Sequence, residues 1–127
     1  MNLEWGKRYL MCPPAHFGVL YEINPWMHRE VPADPERTQA QWDGLVATLR
    51  EAGAEVETLD PVEGLPDMVF TANAGIVDGE KFVVSRFLHP ERAAEEPYYA
   101  KWFGERGFDL VEFPSGLRLE GAGDVLP

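Results

Sequence analysis

The stretch DPERTQAQWDGLVATLREAG, Asp34 to Gly53, predicts one amphipathic helix. The segments on both sides are interpreted relative to this helix. Asp34 is a favourable N-cap, and Pro35 fits the first helical position. Gly53 stands where a left-handed residue commonly ends a helix. Four apolar residues recur at the helical period and predict the buried stripe: Trp42, Leu45, Val46 and Leu49.

Short apolar segments on both sides of this helix predict β-strands. Arg8–Pro13 precedes it and Glu55–Leu59 follows it, and a long loop broken by Pro25 and Pro32 joins the first strand to the helix. Asp78-Gly79 is a hairpin turn signal. Further strands are predicted at Met68–Phe70, Gly75–Val77, Lys81–Phe87 and Phe108–Phe113, with Leu117–Glu120 as an additional candidate.

A second helical region begins at Pro90 and ends before Gly107. Pro97 interrupts it, which predicts either a short turn followed by a new helix or a kink. We expect its aromatic residues to form core and Glu95 and Glu96 to face solvent; the aromatic residues are Tyr98, Tyr99, Trp102 and Phe103. The alternation of strands and helices, with a hairpin included, predicts an α/β fold with a mixed sheet. The spacing suggests two αββ-like units and the start of a third.

The composition is that of a globular domain with a strongly acidic balance. The chain has 127 residues, 45% of them apolar, and a formal net charge of −11. This charge repels nucleic acid and anionic membranes, so we predict neither as a partner. The acidic residues either form a solvated surface or line a cleft for a cation. One cysteine, no apolar run long enough for a membrane helix and no apolar signal core in MNLEWGKRYL predict a cytoplasmic protein.

Two polar segments between apolar residues are candidates for a site. In LPDMVFTANAG, Asp67 and Asn73 precede predicted strands, where sites are often built, although both residue types also favour ordinary turns. In LRLEGAGDVLP, Glu120 and Asp124 surround a glycine-rich bend. A carboxylate buried there requires a cation or several hydrogen-bond donors.

A guanidinium group suits Asp67, Asn73 and Glu120 together, because it is flat, permanently charged and donates only. A divalent metal also accepts oxygen ligands, but the ligands lack a clustered spacing, so we predict no metal site and no cofactor. A phosphate is disfavoured at the glycine-rich bend because Glu120 and Asp124 would repel it.

Four blocks of the sequence, in the same order, carry a resemblance to a known family. The chain resembles the guanidino-group-modifying superfamily, which contains arginine deiminase, dimethylarginine dimethylaminohydrolase, amidinotransferases and arginine dihydrolase. The blocks are MCPPAHF with YEINPWM, LPDMVFTANAG, HPER with EEPYYAKWF, and LEGAGD. The resemblance implies a partial α/β propeller (pentein fold) of about two αββ-type units and the start of a third. Residues 1–127 would be the N-terminal part of a single pentein-type domain, truncated at GAGDVLP.

The resemblance also implies roles for individual residues. Glu120 would hold the guanidinium, Asn73 takes a position where the family usually has an aspartate, and Asp67 and Phe70 would line the substrate pocket. Asp124 would support the bend. The family's nucleophilic cysteine and its histidine are expected beyond Pro127, so this chain would contribute no catalytic residue. We expect Cys12 to be a buried structural thiol.

The resulting functional hypothesis is the N-terminal portion of a guanidine-modifying enzyme. A hydrolase or an amidinotransferase would act on arginine, or on a methylated or otherwise related guanidino compound, through a covalent cysteine intermediate. The alternative is a non-catalytic pentein-like fragment or an acidic interaction module. Apolar surface left by missing propeller units would favour self-association.

Overall fold

The chain divides into two compact units, residues 1–69 and residues 70–127. The structure, a computed structural model, describes residues 7–126. Residues 1–6 and Pro127 lie outside the described residues. The prediction that the chain has no export signal rests partly on residues 1–6.

The first unit is built around a parallel pair of strands connected through a helix. Strand β1 spans Arg8–Met11, helix α1 spans Pro35–Glu51, and strand β2 spans Glu55–Thr58. The strands pair in parallel, with Arg8 opposite Glu55 and Met11 opposite Thr58. Both predicted strands are confirmed, although each is shorter than its apolar segment.

The caps predicted for α1 are confirmed. Asp34 accepts a hydrogen bond from the backbone N of Arg37 at 3.1 Å, and Gly53 has φ +90°. The predicted apolar stripe is only partly correct: Val46 is buried, whereas Leu45 is 52% exposed. A sheet of two short strands offers a narrow surface, so the buried face of the helix is narrower than its apolar stripe.

The strand predicted at Met68–Phe70 is wrong. Pro66–Val69 forms a 3₁₀ helix, in which the backbone N of Met68 donates to the carbonyl of Leu65 at 3.3 Å. Pro66 lacks an N–H and has a φ that fits the first helical position, so it starts this turn in place of a strand. The turn buries the side chains of Asp67 and Met68.

The second unit contains a mixed three-stranded sheet in the order β3-β4-β5. Strand β3 spans Gly75–Asp78, β4 spans Lys81–Val84 and β5 spans Asp109–Glu112. The first two strands are antiparallel, and β5 pairs in parallel with β4. The predicted hairpin is confirmed, but its two turn residues are Gly79 and Glu80, because Asp78 still pairs with Lys81.

Two segments predicted to extend the sheet contribute less than expected. Strand β4 ends at Val84 and does not continue to Phe87. Leu117–Glu120 forms no strand of its own and contributes only an isolated bridge, between Leu119 and Arg86. The bridge is nevertheless well made: each backbone N–H donates to the other's carbonyl, at 2.8 and 3.1 Å.

The helical region of the second unit consists of a short turn and a new helix, which was the first of the two alternatives. Helix α2 spans Pro90–Ala93 and helix α3 spans Glu96–Glu105, with Pro97 in the first turn of α3. Proline is tolerated in a first turn because the N–H that it lacks has no helical partner there. Gly107 follows the helix with φ +81°.

Aromatic side chains from α3 and β4 form the core of the second unit. The Phe82 and Phe103 rings stack with centroids 3.6 Å apart, and Trp102 meets the Phe103 ring edge-on at 4.9 Å. Tyr99 is fully buried. Tyr98 is 43% exposed, so its assignment to the core was wrong; it lies off the stripe formed by the other three residues.

The observed elements confirm an α/β fold with a mixed sheet in the second unit. The first unit has the order βαβ and the second has ββααβ, so neither is a simple αββ repeat within its own bounds. The number of propeller units stays a prediction. Among the described helices, none combines the length and apolar character needed to cross a membrane.

We predict that Phe82→Ala lowers the free energy of unfolding by about 3–5 kcal/mol, because it removes a fully buried ring from the aromatic core. Leu45→Ala is the control, since Leu45 is 52% exposed on α1, and its effect should stay below about 0.5 kcal/mol. Urea unfolding followed by circular dichroism measures both. Equal effects would show that the core is not where the structure places it.

Candidate functional site

Two short 3₁₀ helices of the second unit bring the polar candidates together. One spans Thr71–Asn73 and the other spans Gly121–Gly123. Gly121 lies against the first segment so closely that a Cβ there would overlap the carbonyl oxygen of Ala72 and lie 2.9 Å from the carbonyl carbon of Asn73. Gly121 also has φ +54°. Only glycine meets both requirements without strain.

The amide of Asn73 connects the two segments. Its Nδ2 donates to the backbone carbonyl of Glu120 at 3.3 Å, and its Oδ1 accepts from Nη1 of Arg92 at 3.0 Å. The backbone carbonyl of Asn73 accepts from the fully buried Ser85 hydroxyl at 2.6 Å. Side chain and main chain of Asn73 are therefore both held by specific bonds.

Glu120 is half-buried and is held through its main chain. Its backbone N donates to Oδ2 of Asp124 at 2.7 Å, which closes the bend between the two residues. Asp124 thus has the supporting position that the family resemblance implies. In the part of the chain that the structure describes, no residue donates a hydrogen bond to the carboxylate of Glu120.

A buried ion pair lies beside Asn73. Nε and Nη2 of Arg92 donate to the two carboxylate oxygens of Glu95 at 3.1 and 3.0 Å, a bidentate arrangement. The Glu95 side chain is 0% exposed and that of Arg92 is 9% exposed. The guanidinium also lies 4.4 Å from the ring centroid of Phe87.

The expectation that Glu95 and Glu96 face solvent is wrong for Glu95 and only partly correct for Glu96, which is half-buried. Glu95 is fully buried against Arg92, and Oε1 of Glu96 accepts from the backbone N of Phe87 at 2.8 Å. Both carboxylates have specific donors, which offset the cost of removing them from water.

Phe70 and Asp67, the other two predicted site residues, occupy different units. Phe70 immediately precedes the Thr71–Asn73 turn; its carbonyl accepts from the backbone N of Asn73 at 3.0 Å, and its side chain is 48% exposed. Asp67 lies in the first unit, where its Oδ2 accepts from the hydroxyl of Tyr21 at 2.7 Å. The structure therefore brings Asn73 and Glu120 together. The convergence of Asp67 with them stays a prediction.

The cysteine and the histidines have the surroundings expected of structural or surface residues. Cys12 is 0% exposed, and its thiol lies 3.7 Å from the carbonyl of Pro13. His16 and His28 are exposed loop residues, and His89 is the residue before α2. No cluster of three potential metal ligands of the types His, Cys, Asp and Glu occurs within residues 7–126.

A separate cleft of ≈ 240 Å³ lies between β4, β5 and the start of α3. Val84, Leu110 and Phe113 contribute apolar surface to it, and Arg86, Glu96 and Glu112 contribute charge. None of the four predicted substrate-binding residues lines this cleft.

Sequence reasoning did not assign four residues that hydrogen-bond to the candidate residues or to their partners: Tyr21, Ser85, Arg92 and Glu95. The three-residue spacing of Arg92 and Glu95 is a usable signal for an ion pair on a helix. No local signal connects Arg92 to Asn73 or Tyr21 to Asp67, because these partners are far apart in sequence.

Curated relatives of this chain include enzymes of arginine chemistry. The chain is 52% identical over 120 residues to the bifunctional arginine dihydrolase/ornithine cyclodeaminase ArgZ of Synechocystis sp., a match that covers 94% of the chain and 17% of ArgZ. It is 45% identical over 120 residues to the N(G),N(G)-dimethylarginine dimethylaminohydrolase of Mycobacterium tuberculosis, covering 94% of the chain and 39% of that enzyme. No protein-family model matches the chain.

Solved structures agree with these matches. A cysteine-to-alanine variant of AgrE in complex with L-arginine superposes with a TM-score of 0.86 at 48% identity, over 92% of this chain and 17% of AgrE. The N-terminal domain of ArgZ, as an asparagine-to-serine variant covalently bound to a reaction intermediate, gives a TM-score of 0.84 at 50% identity, over 91% of this chain and 43% of that one.

The fold and the matches together define an α/β chain related to enzymes that act on guanidino groups. Over nearly its whole length the chain is similar to enzymes of the guanidino-group-modifying superfamily, as its sequence blocks predicted. It spans less than half the length of the relatives described above.

We predict that Gly121→Ala destabilises the protein by about 1–3 kcal/mol, because alanine is strained at positive φ and its Cβ would overlap the Ala72 carbonyl. Gly123→Ala is the matched control. A Cβ at Gly123 would meet Asn73 Nδ2 at 3.5 Å, an ordinary contact distance. Chemical denaturation of the two variants measures the difference, and equal stabilities would contradict the close approach at Gly121.

Proposed function

We propose that this chain supplies the substrate-gripping part of an enzyme that hydrolyses the guanidino group of arginine or of a close derivative. Glu120 is the principal ligand of the guanidinium in this proposal, with Asn73, Asp67 and Phe70 completing the pocket. The nucleophilic cysteine and the histidine that transfers protons are residues outside the present sequence.

The observation that carries the proposal is the hydrogen bonding of Glu120. Its main chain is fixed by Asp124 and Asn73, while its half-buried carboxylate receives no hydrogen bond from the described residues. A carboxylate on an anchored main chain, with unused acceptor capacity, matches a ligand that is flat, cationic and rich in donors.

Local charge balance supports the same ligand. The positive charge of Arg92 is already matched by Glu95 through two hydrogen bonds. Asn73 is uncharged, so the negative charge of Glu120 is not neutralised by an ion pair of its own within the described residues. A guanidinium bound at Glu120 would supply that missing charge.

A guanidinium is a poor electrophile, so the proposed reaction requires its central carbon to be oriented precisely for attack. A carboxylate that holds its nitrogens orients the central carbon for attack by a thiolate. The C–S bond forms as a C–N bond breaks, and the leaving nitrogen takes up a proton from a general acid. Water then attacks the carbon and releases the thiolate.

Two relatives support this route. The ArgZ domain is described as covalently bound to a reaction intermediate, and AgrE with its cysteine replaced is described in complex with L-arginine. Both descriptions fit a cysteine-dependent reaction on arginine. Hydrolysis is favoured over amidino transfer because these relatives are named for dihydrolase activity.

Dimethylarginine is the second candidate substrate, favoured by the 45% identity to the mycobacterial dimethylarginine dimethylaminohydrolase. Hydrolysis would then release dimethylamine in place of ammonia and leave citrulline. The same carboxylate would hold the unmethylated nitrogens, so Glu120 has the same role for either substrate.

Product analysis of the full-length protein separates the candidates. With arginine, ornithine and ammonia in a 1:2 ratio would identify a dihydrolase, since complete hydrolysis also releases carbon dioxide. Citrulline with one equivalent of ammonia would identify a deiminase, and a new guanidino compound formed from an added amine would identify a transferase. No product from arginine or dimethylarginine would contradict the proposal and favour a non-catalytic module.

We predict that Glu120→Gln in the full-length protein lowers kcat/KM for its guanidino substrate by roughly 100-fold, because a neutral amide replaces the charge that holds the cation. Glu112→Gln is the control, since Glu112 is exposed on β5, and its activity should equal that of the parent. Steady-state kinetics measures both, with circular dichroism to verify folding. Unchanged turnover for Glu120→Gln would remove Glu120 from the site.

A further inference from the structure

Ser85, the first residue beyond β4, binds the main chain at the end of the Thr71–Asn73 turn through two groups. Its backbone N donates to the carbonyl of Ala74 at 3.0 Å. Its Oγ donates to the carbonyl of Asn73 at 2.6 Å, and the residue is fully buried. Ser85 therefore holds two consecutive carbonyls, which belong to the peptide groups that follow the Cα of Asn73.

The hydroxyl of Ser85 supplies a hydrogen bond that the strand backbone does not. Asn73 lies in a 3₁₀ turn outside the ladder of β3 and β4, and among the described residues the Ser85 hydroxyl is the donor that satisfies its carbonyl. Main-chain carbonyls away from solvent require such a donor. Ser85→Ala would remove this bond and leave the main-chain bond to Ala74 in place.

The next residue, Arg86, connects the same segment to the other polar candidate. Its backbone N donates to the carbonyl of Leu119 at 2.8 Å, and its carbonyl accepts from the backbone N of Leu119 at 3.1 Å. Leu119 is buried and immediately precedes Glu120. Main-chain groups of consecutive residues in an extended segment point to opposite sides. Ser85 and Arg86 thus hold the main chain beside Asn73 with one residue and the main chain beside Glu120 with the other.

We propose that Ser85 is a positioning residue whose hydroxyl fixes the peptide group after Asn73 and thereby the direction of the Asn73 side chain. This inference rests on the proposed function, in which Asn73 and Glu120 contact the guanidino substrate. Ser85 itself makes no contact with the substrate in this scheme. A rotated peptide group after Asn73 would move its amide away from the carbonyl of Glu120, to which Nδ2 donates at 3.3 Å.

A purely structural hydroxyl is the competing interpretation. In that case Ser85→Ala lowers the stability of the fold because a carbonyl loses its donor, and each folded molecule keeps the activity of the parent. A positioning role instead lowers the activity of each folded molecule, because a slightly misplaced substrate-holding group slows the attack. Activity divided by the folded fraction, which thermal unfolding measures, separates the two interpretations.

The test is a double-mutant cycle in the full-length protein, with arginine as substrate or, if arginine is not turned over, dimethylarginine. The corners are the parent, Ser85→Ala, Asn73→Ala and the double variant, with kcat/KM expressed per folded molecule. We expect Ser85→Ala to lower kcat/KM roughly tenfold, within the range of coupled neighbours. In the Asn73→Ala background it should have almost no further effect, because the side chain that it directs is absent.

Two further variants isolate the hydroxyl. Ser85→Thr keeps the donor and should retain the parent kcat/KM per folded molecule within about twofold, whereas a loss as large as that of Ser85→Ala would overturn the positioning role. Thr48→Ala is the matched control: its hydroxyl donates to the carbonyl of Gly44 at 2.9 Å, a bond of the same type on α1. We expect Thr48→Ala to leave kcat/KM unchanged.

The outcomes distinguish this inference from the proposed function. If Asn73→Ala lowers kcat/KM but Ser85→Ala is inert, or its effect is equally large in the Asn73→Ala background, the positioning role is overturned and the substrate site stands. If Asn73→Ala has full activity, Asn73 leaves the site and both proposals fall.

A crystal structure of Ser85→Ala decides the question if Asn73→Ala is too slow to measure. Displacement of the Asn73 amide from the Glu120 carbonyl would support the positioning role. Retention of the 3.3 Å contact between Nδ2 of Asn73 and that carbonyl would overturn it.

Discussion

The close approach of the backbone at Gly121 to the segment Ala72–Gly75 is the constraint on which the polar cluster of the second unit depends. A single Cβ at this position would overlap main-chain atoms of that segment. The approach places the carbonyl of Glu120 within reach of the Asn73 amide, and Asp124 then closes the bend from the other side. Polar residues far apart in sequence are thus joined by main-chain packing, with side-chain hydrogen bonds added to that contact.

Much of the fold could be predicted from the sequence because its boundaries are marked by local chemistry. Asp34 and Gly53 mark the ends of α1 within a few residues of chain, and Pro97 and Gly107 do the same for α3. The wrong predictions occur where the local sequence favours one secondary structure and the packing of the segment requires another. Met68 has an apolar neighbourhood typical of a strand, yet Pro66 starts a 3₁₀ turn that buries it.

The candidate site was predictable only in part, for a related reason. Asp67, Asn73 and Glu120 stand out in the sequence as polar residues between apolar segments, and Phe70 and the individual roles came from the family resemblance. The partners of those groups are set by tertiary contacts. Arg92 contacts Asn73 because α2 packs beside the Thr71–Asn73 turn, and Glu95 is buried against Arg92 in the same cluster. Two adjacent glutamates are typical of a solvated surface, so the sequence did not predict that Glu95 is buried.

The parallel pairing of β1 with β2 has a consequence for biosynthesis. Arg8–Met11 leaves the ribosome before its hydrogen-bonding partner Glu55–Thr58, which follows only after the long loop and α1 have been made. Until then the nascent chain carries an unpaired strand whose backbone groups can pair with other chains. Slower elongation through the α1 segment would prolong this exposure.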